Sequence, residues 1–141
     1  MTTQPMASPA LPGTVVTPTR YGFDELVQRL EDAVHGHGML LIAKPSASRN
    51  AAARGIEIPG NAVLLTFNND FAVRLLRISV AAGFEAPMRL YVTESSNHTA
   101  TVTHRTAAAV FAPYATAELD LLAGDIDQVL ARIVADAAAA R

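Results

Sequence analysis

The sequence predicts a single α+β domain of 141 residues, and three patterns in it support this fold class. Short apolar runs, typical of strands, alternate with segments whose apolar residues recur every three or four positions, as in an amphipathic helix. Glycine, proline and short polar stretches separate these segments. Half of the residues are hydrophobic and 17% are charged, which is enough apolar surface for one core. We expect a mixed sheet of four to five strands with helices largely on one face, in the order β-α-β-α-β-α-β-β-α.

The first half of the chain predicts two strands, each followed by a helix. Residues 1–13 contain three prolines and little periodicity, so we expect a flexible leader before the domain at 14–141. The apolar spacing from Phe23 to Val34 is helical, and glycine ends it. The unbroken apolar run at 39–43 predicts a strand buried on both faces. The expected elements are a strand at 14–17, a helix at 23–36, a strand at 39–43 and a short helix at 48–54.

The second half predicts a buried strand, a helix, a hairpin and a helical C-terminal region. A polar connection at 94–98 joins the two strands of the hairpin. Pro113 breaks the helical region, and we expect Gly124 to divide its later part. The expected elements are a strand at 62–67, a helix at 71–82, strands at 88–93 and 99–104, a helix at 106–111 and helical residues from 116 onwards.

Composition and charge exclude several classes of function. The formal net charge is −2 and the chain has a single lysine, Lys44, so we expect no nucleic-acid partner. Cysteine is absent and the four histidines are dispersed, so we expect no metal and no cofactor. No apolar stretch is long enough to span a bilayer, and the start has no secretory pattern. We expect a cytoplasmic protein with no membrane partner.

Three segments carry a family resemblance. AVLLTFNNDFAVRLL, APMRLYV and TATVTHR, within residues 20–135, resemble the prokaryotic family known as domain of unknown function 302. A strand of that family ends in Phe/Tyr-Gly-Asn-Pro, where this chain has the residues 67–70 and retains Asn69. The family has an Asp-His pair near positions 46–48 and a tyrosine at the position of His104. The resemblance implies a compact α+β fold, often dimeric, without an established activity.

Asn68, Asn69 and Asp70 form the first candidate site, because they lie where a strand runs into a helix. The free backbone N–H groups of a helix start could hold a polar ligand there. The alternative is that these residues only cap the helix. We expect Asn69 to be the capping residue of a helix that begins near Phe71.

His104 is the second candidate for ligand binding. It shares a strand face with Ala100 and Val102, so it points either into the core or into a cleft. Thr99, Thr101 and Thr103 lie on the other face, which is the more polar one. The alternative to a functional role is a structural histidine whose hydrogen bonds are satisfied.

The sequence favours a homodimeric domain that binds a small ligand or a protein partner without catalysis. No carboxylate pair, phosphate loop or nucleophile motif is present to support a reaction. One alternative is a small enzyme in which Asn69, Asp70 and His104 act as polarising group, base and acid. A further alternative is a structural module that only assembles.

Overall fold

A computed structural model describes residues 11–140, which form a five-stranded sheet with helices on one face. This confirms the α+β class and the predicted order of elements. The order across the sheet is β1-β5-β4-β3-β2. The strands are β1 (Thr14–Pro18), β2 (Leu40–Ala43), β3 (Asn61–Phe67), β4 (Met88–Glu94) and β5 (Ala100–Arg105).

The helices connect the strands and supply the other half of the core. They are α1 (Phe23–Gly36), α2 (Ala47–Ala52), α3 (Asn69–Ile78), α4 (Ala107–Phe111) and α5 (Ala117–Ala138), with short 3-10 turns at Ala81–Glu85 and Ala112–Tyr114. The long helix α5 packs against α1, α3 and α4. No helix within residues 11–140 has the length and apolar character required to cross a membrane.

All four strand pairs in the described residues are antiparallel, where a mixed sheet was expected. The physical reason lies in the connections. Helix α1 joins strands at opposite edges of the sheet, so it creates no parallel pair. Helix α3 and the turn at Ala81–Glu85 contact each other and together connect β3 to β4. This connection leaves β3 just after Thr66 and enters β4 at Met88, and these two residues pair with each other. The chain therefore re-enters the sheet at the end it left.

Two predicted helix boundaries are wrong. Gly124 does not divide α5, which is continuous, because buried side chains on both sides of it hold the helix against the core. That packing offsets the cost of about 1 kcal/mol for a helical glycine. Helix α3 ends at Ile78, before residue 82, and the hydroxyl of Ser79 accepts a hydrogen bond from the Ala82 N–H to start the separate 3-10 turn.

The two faces of the sheet differ sharply, because helices cover only one of them. In β3 and β4, Leu64, Leu90 and Val92 are fully buried against the helices. Their neighbours Val63 and Tyr91 lie on the open face and are half-buried. The expectation that β2 is buried on both faces is wrong, since β2 is an edge strand in which Leu40 and Ile42 are 47% and 56% exposed.

The expected leader at 1–13 falls mostly outside the described residues. Leu11 to Gly13 are described, and they lie against β5. The Pro12 carbonyl accepts a hydrogen bond from Arg105 Nε at 3.2 Å, and the Gly13 carbonyl accepts one from the Thr106 N–H at 2.8 Å. Gly13 has φ +75°, and a Cβ there would lie 2.3 Å from that of Ala109, so this approach requires glycine.

Candidate functional site

A gap between two neighbouring strands opens a cleft that residues from both faces of the sheet line. The pairing of β4 with β5 ends at Tyr91 and Thr103. Beyond that point β4 stays paired with β3 as far as Met88, and β5 stays paired with β1 as far as Arg105. The ends of β4 and β5 therefore separate, each held by its outer neighbour.

The cleft has a volume of about 480 Å³, within the range of small-molecule sites. Its walls are mainly apolar, and most of its polar groups come from β4 and β5. The described residues that line it are Leu11, Thr14, Val63, Glu85, Pro87, Met88, Arg89, Tyr91, Thr103, His104, Arg105 and Val110.

Two hydroxyl groups lie at the closed end of the gap. Thr103 is only 8% exposed, and its hydroxyl oxygen has no hydrogen-bond partner among the described residues. A buried hydroxyl without a partner is costly, which makes it a candidate contact for a ligand. The Tyr91 hydroxyl accepts a hydrogen bond from Asn61 Nδ2 at 2.7 Å, so its own proton is available for donation.

Two arginines flank the open end of the gap. Arg89 and Arg105 each lie two residues beyond the last β4–β5 pair, Tyr91 and Thr103, on either side of the gap. Arg89 is exposed and forms no hydrogen bond or ion pair with a described residue, whereas Arg105 uses its Nε on the Pro12 carbonyl. Both side chains therefore retain terminal guanidinium nitrogens for a ligand.

Glu85 is the only carboxylate in the described lining of the cleft. The hydroxyl of Tyr114 donates a hydrogen bond to Glu85 Oε2 at 2.6 Å. This hydrogen bond, then burial, then the Glu85 charge raise the pKa of Tyr114 above its ordinary value. The tyrosine thus stays protonated and holds the carboxylate at the wall.

The sequence predicts that His104 points either into the core or into a cleft. In the structure His104 lies on the helix-covered face of β5, and it also lines the cleft. It is 8% exposed, and its Nδ1 has no hydrogen-bond partner among the described residues. Burial lowers the pKa of His104, against the opposing charge of Asp127, so the ring is neutral at pH 7. Asp127 accepts hydrogen bonds from the N–H groups of Ala107 and Ala108, at 2.6 and 3.1 Å.

Within the described residues, no group of three or more histidines and carboxylates could hold a metal ion.

The other candidate residues lie at the end of β3 and do not line the cleft. The cap is Asn68, so the expectation for Asn69 is wrong by one residue. Asn68 follows Phe67 with the extended backbone that a cap requires, and its Oδ1 accepts the Phe71 N–H at 2.7 Å. Asn69 and Asp70 are exposed in the first turn of α3. The structure therefore does not bring them together with His104.

Sequence reasoning missed Arg89, Arg105, Tyr91 and Thr103 as site residues. A signal for them was present in the hairpin. With the connection at 94–98, antiparallel pairing puts residues 89, 91, 103 and 105 on one face of the sheet. What the pattern does not show is that the two strands separate.

The fold and cleft belong to a two-layer α+β domain, and comparisons with known proteins give its family. The family model described as "Domain of unknown function DUF302" matches residues 15–137. The chain therefore belongs to this family, as the resemblance implied.

The solved structure of an uncharacterized conserved DUF302 protein from Bacillus stearothermophilus is similar to this chain. The two are 20% identical, with a TM-score of 0.79, and the match covers 90% of this chain and 98% of the other. At that identity the likeness shows the fold alone. No curated protein matches the chain.

Proposed function

We propose that the protein binds a small molecule in the cleft between β4 and β5 and does not catalyse a reaction on it. The observation that carries this proposal is the buried Thr103 hydroxyl, which has no described partner and lies in a cleft of about 480 Å³. A bound ligand would supply the missing hydrogen bond and cover the apolar walls.

The geometry favours binding over catalysis. An enzyme that used Asn69, Asp70 and His104 would need all three side chains within reach of one substrate. They lie on separate strand ends with β4 between them, and only His104 lines the cleft. The hydroxyls and guanidinium groups that do converge are suited to holding a ligand.

A pair of variants tests the proposal. Val63→Trp places a large ring in the cleft, whereas Ile42→Trp places the same ring at an exposed position of the edge strand β2, which does not line the cleft. Small molecules released by denaturing cell-purified protein are measured by mass spectrometry. We expect one compound to be retained by the natural protein and by Ile42→Trp, and lost from Val63→Trp. Retention by Val63→Trp, or no compound in any of the three, refutes the proposal.

We also propose that the protein is a homodimer, supported by exposed apolar side chains near α3. Val80, Phe84 and Leu121 are 78%, 88% and 72% exposed. Apolar side chains exposed to this degree are typical of an interaction surface. Light scattering at micromolar concentration should give a dimer mass that falls to a monomer mass in Phe84→Glu. A monomer mass for the natural protein excludes the dimer.

The dimer and the cleft are separable properties of the chain. A purely structural module would form the dimer and retain no compound, so the two measurements together distinguish assembly from ligand binding.

We also propose that the protein is cytoplasmic, which fractionation of cells at natural expression levels would test.

A further inference from the structure

The charges around the cleft are unbalanced. Arg89 and Arg105 contribute two positive charges that no described carboxylate neutralises. The one acid in the described lining, Glu85, is hydrogen-bonded to Tyr114 at the wall. An occupant with a negative charge would therefore be attracted to the two arginines.

The two arginines line the same cleft, where their like charges repel each other unless an anion lies between them. The strands β4 and β5 are no longer paired at these residues, so the two side chains lie on either side of the gap. Guanidinium groups match the geometry of carboxylate and phosphate oxygens, to which they donate two parallel hydrogen bonds. Two guanidinium groups around one oxyanion would convert the repulsion into attraction.

The remaining surface of the cleft requires more than an inorganic ion. Val63 lies on its floor, and Leu11, Pro87 and Val110 form apolar walls. Tyr91 and Thr103 lie at the closed end, two residues along each strand from the arginines. An occupant that covers both parts has an anionic group at the open end and an apolar body extending inwards.

We infer that the ligand of this cleft is an organic anion, whose carboxylate or phosphate group lies between Arg89 and Arg105 and whose apolar body packs on Val63 and Val110. This inference rests on the proposed function, because it identifies the chemical class of the molecule bound in the same cleft. The Thr103 hydroxyl would donate to, or accept from, a polar atom of the body.

Three probes with the same ring test the class of ligand: phenyl phosphate, benzoate and neutral benzyl alcohol. Their affinities are measured by calorimetry for the natural protein, Arg89→Gln, Arg105→Gln and the control Arg132→Gln. Arg132 is an exposed arginine of α5 that does not line the cleft. At least one anion should bind the natural protein and the control equally. Each cleft variant should bind it about 10- to 100-fold more weakly, since a hydrogen bond to a charged group is lost.

The outcomes separate this inference from the proposed function. Benzyl alcohol binding as tightly as the anions, without sensitivity to either cleft variant, keeps the cleft as a binding site but overturns the anionic class. Equal loss of anion binding in Arg132→Gln and the cleft variants shows general charge attraction and also overturns it. Absence of binding by all three probes overturns the inference. The proposed function is refuted separately, by the mass-spectrometry experiment, if Val63→Trp retains the compound or if none of the three proteins retains one.

The preference between the two anions identifies the head group. Tighter binding of phenyl phosphate assigns a phosphate monoester, and tighter binding of benzoate assigns a carboxylic acid. Both results support the inference, because the two groups share the oxygens that the arginines recognise.

Discussion

The covered and open faces of the sheet are built from alternating residues of the same strands, yet their side chains differ in burial and in hydrogen bonding. On the covered face, Leu64, Leu90 and Val102 are fully buried and pack against the helices. On the open face, their neighbours include a free arginine and an unpartnered buried hydroxyl. Stability therefore depends on one face, which leaves side chains of the other free to form a binding site.

The largest expected contrast between the faces is in β4. Leu90→Ala removes a fully buried side chain and should lower the free energy of unfolding by about 2–5 kcal/mol. Arg89→Ala, one residue earlier on the open face, should change it by less than about 0.5 kcal/mol. Chemical denaturation of the two variants measures both values. Similar losses would mean that the open face also supports the core.

His104 is a buried titratable residue on the covered face, and it should make stability depend on pH. Its pKa in the folded protein lies below the ordinary value of 6.5, because burial disfavours the charged ring. The unfolded chain then binds the proton more readily, so stability is complete above pH 6.5 and falls as the pH drops below it.

The variant His104→Gln isolates this effect from the other three histidines. Its stability, measured by denaturation between pH 7.5 and about 5, should fall less steeply than that of the natural protein. Asp127 is the charged group that opposes the shift, and it is present in both proteins. Parallel pH profiles would show that the burial of His104 carries no such cost.

A smaller contrast separates the two asparagines that follow β3. Asn68→Ala removes the observed helix cap and should cost about 1 kcal/mol. Asn69→Ala changes an exposed residue of the first turn and should cost less than about 0.5 kcal/mol. Equal midpoints and slopes in denaturant for both variants and the natural protein would remove the capping role from Asn68.

The smallest expected effect concerns the free arginine of the open face. Arg89→Gln should raise the free energy of unfolding in the absence of ligand by less than about 0.5 kcal/mol, because it removes the weak repulsion between two arginines that line the same cleft. The gain should shrink at high salt, which screens exposed charges. A loss of stability at low salt would indicate that the arginine already has a favourable partner.

The sequence predicts the elements of this fold better than their arrangement. Apolar periodicity identifies α1 and β3, because that pattern directly reflects which side chains are buried. It does not reveal that β2 is an edge strand, since a short apolar run looks the same at an edge and in the centre. The direction of the strands depends on long-range pairing, which no local pattern encodes.

The candidate site is only partly readable from the sequence for the same reason. His104 was recognised because it interrupts an apolar strand face. Arg89 and Arg105 are 16 positions apart and become neighbours only through the hairpin. The gap between β4 and β5 depends on the pairing of each strand with its outer neighbour, so it emerges only in the folded structure.

The central claim is that an organic anion binds in the cleft between β4 and β5, and a titration followed by amide NMR tests it most directly. Phenyl phosphate is added to isotope-labelled full-length protein, and backbone shifts are assigned to residues. The account predicts that the largest changes fall at Arg89, Tyr91, Thr103 and Arg105, while Asn69 and Asp70 remain unchanged. Changes concentrated at the start of α3, or no changes at β4 and β5, would contradict it.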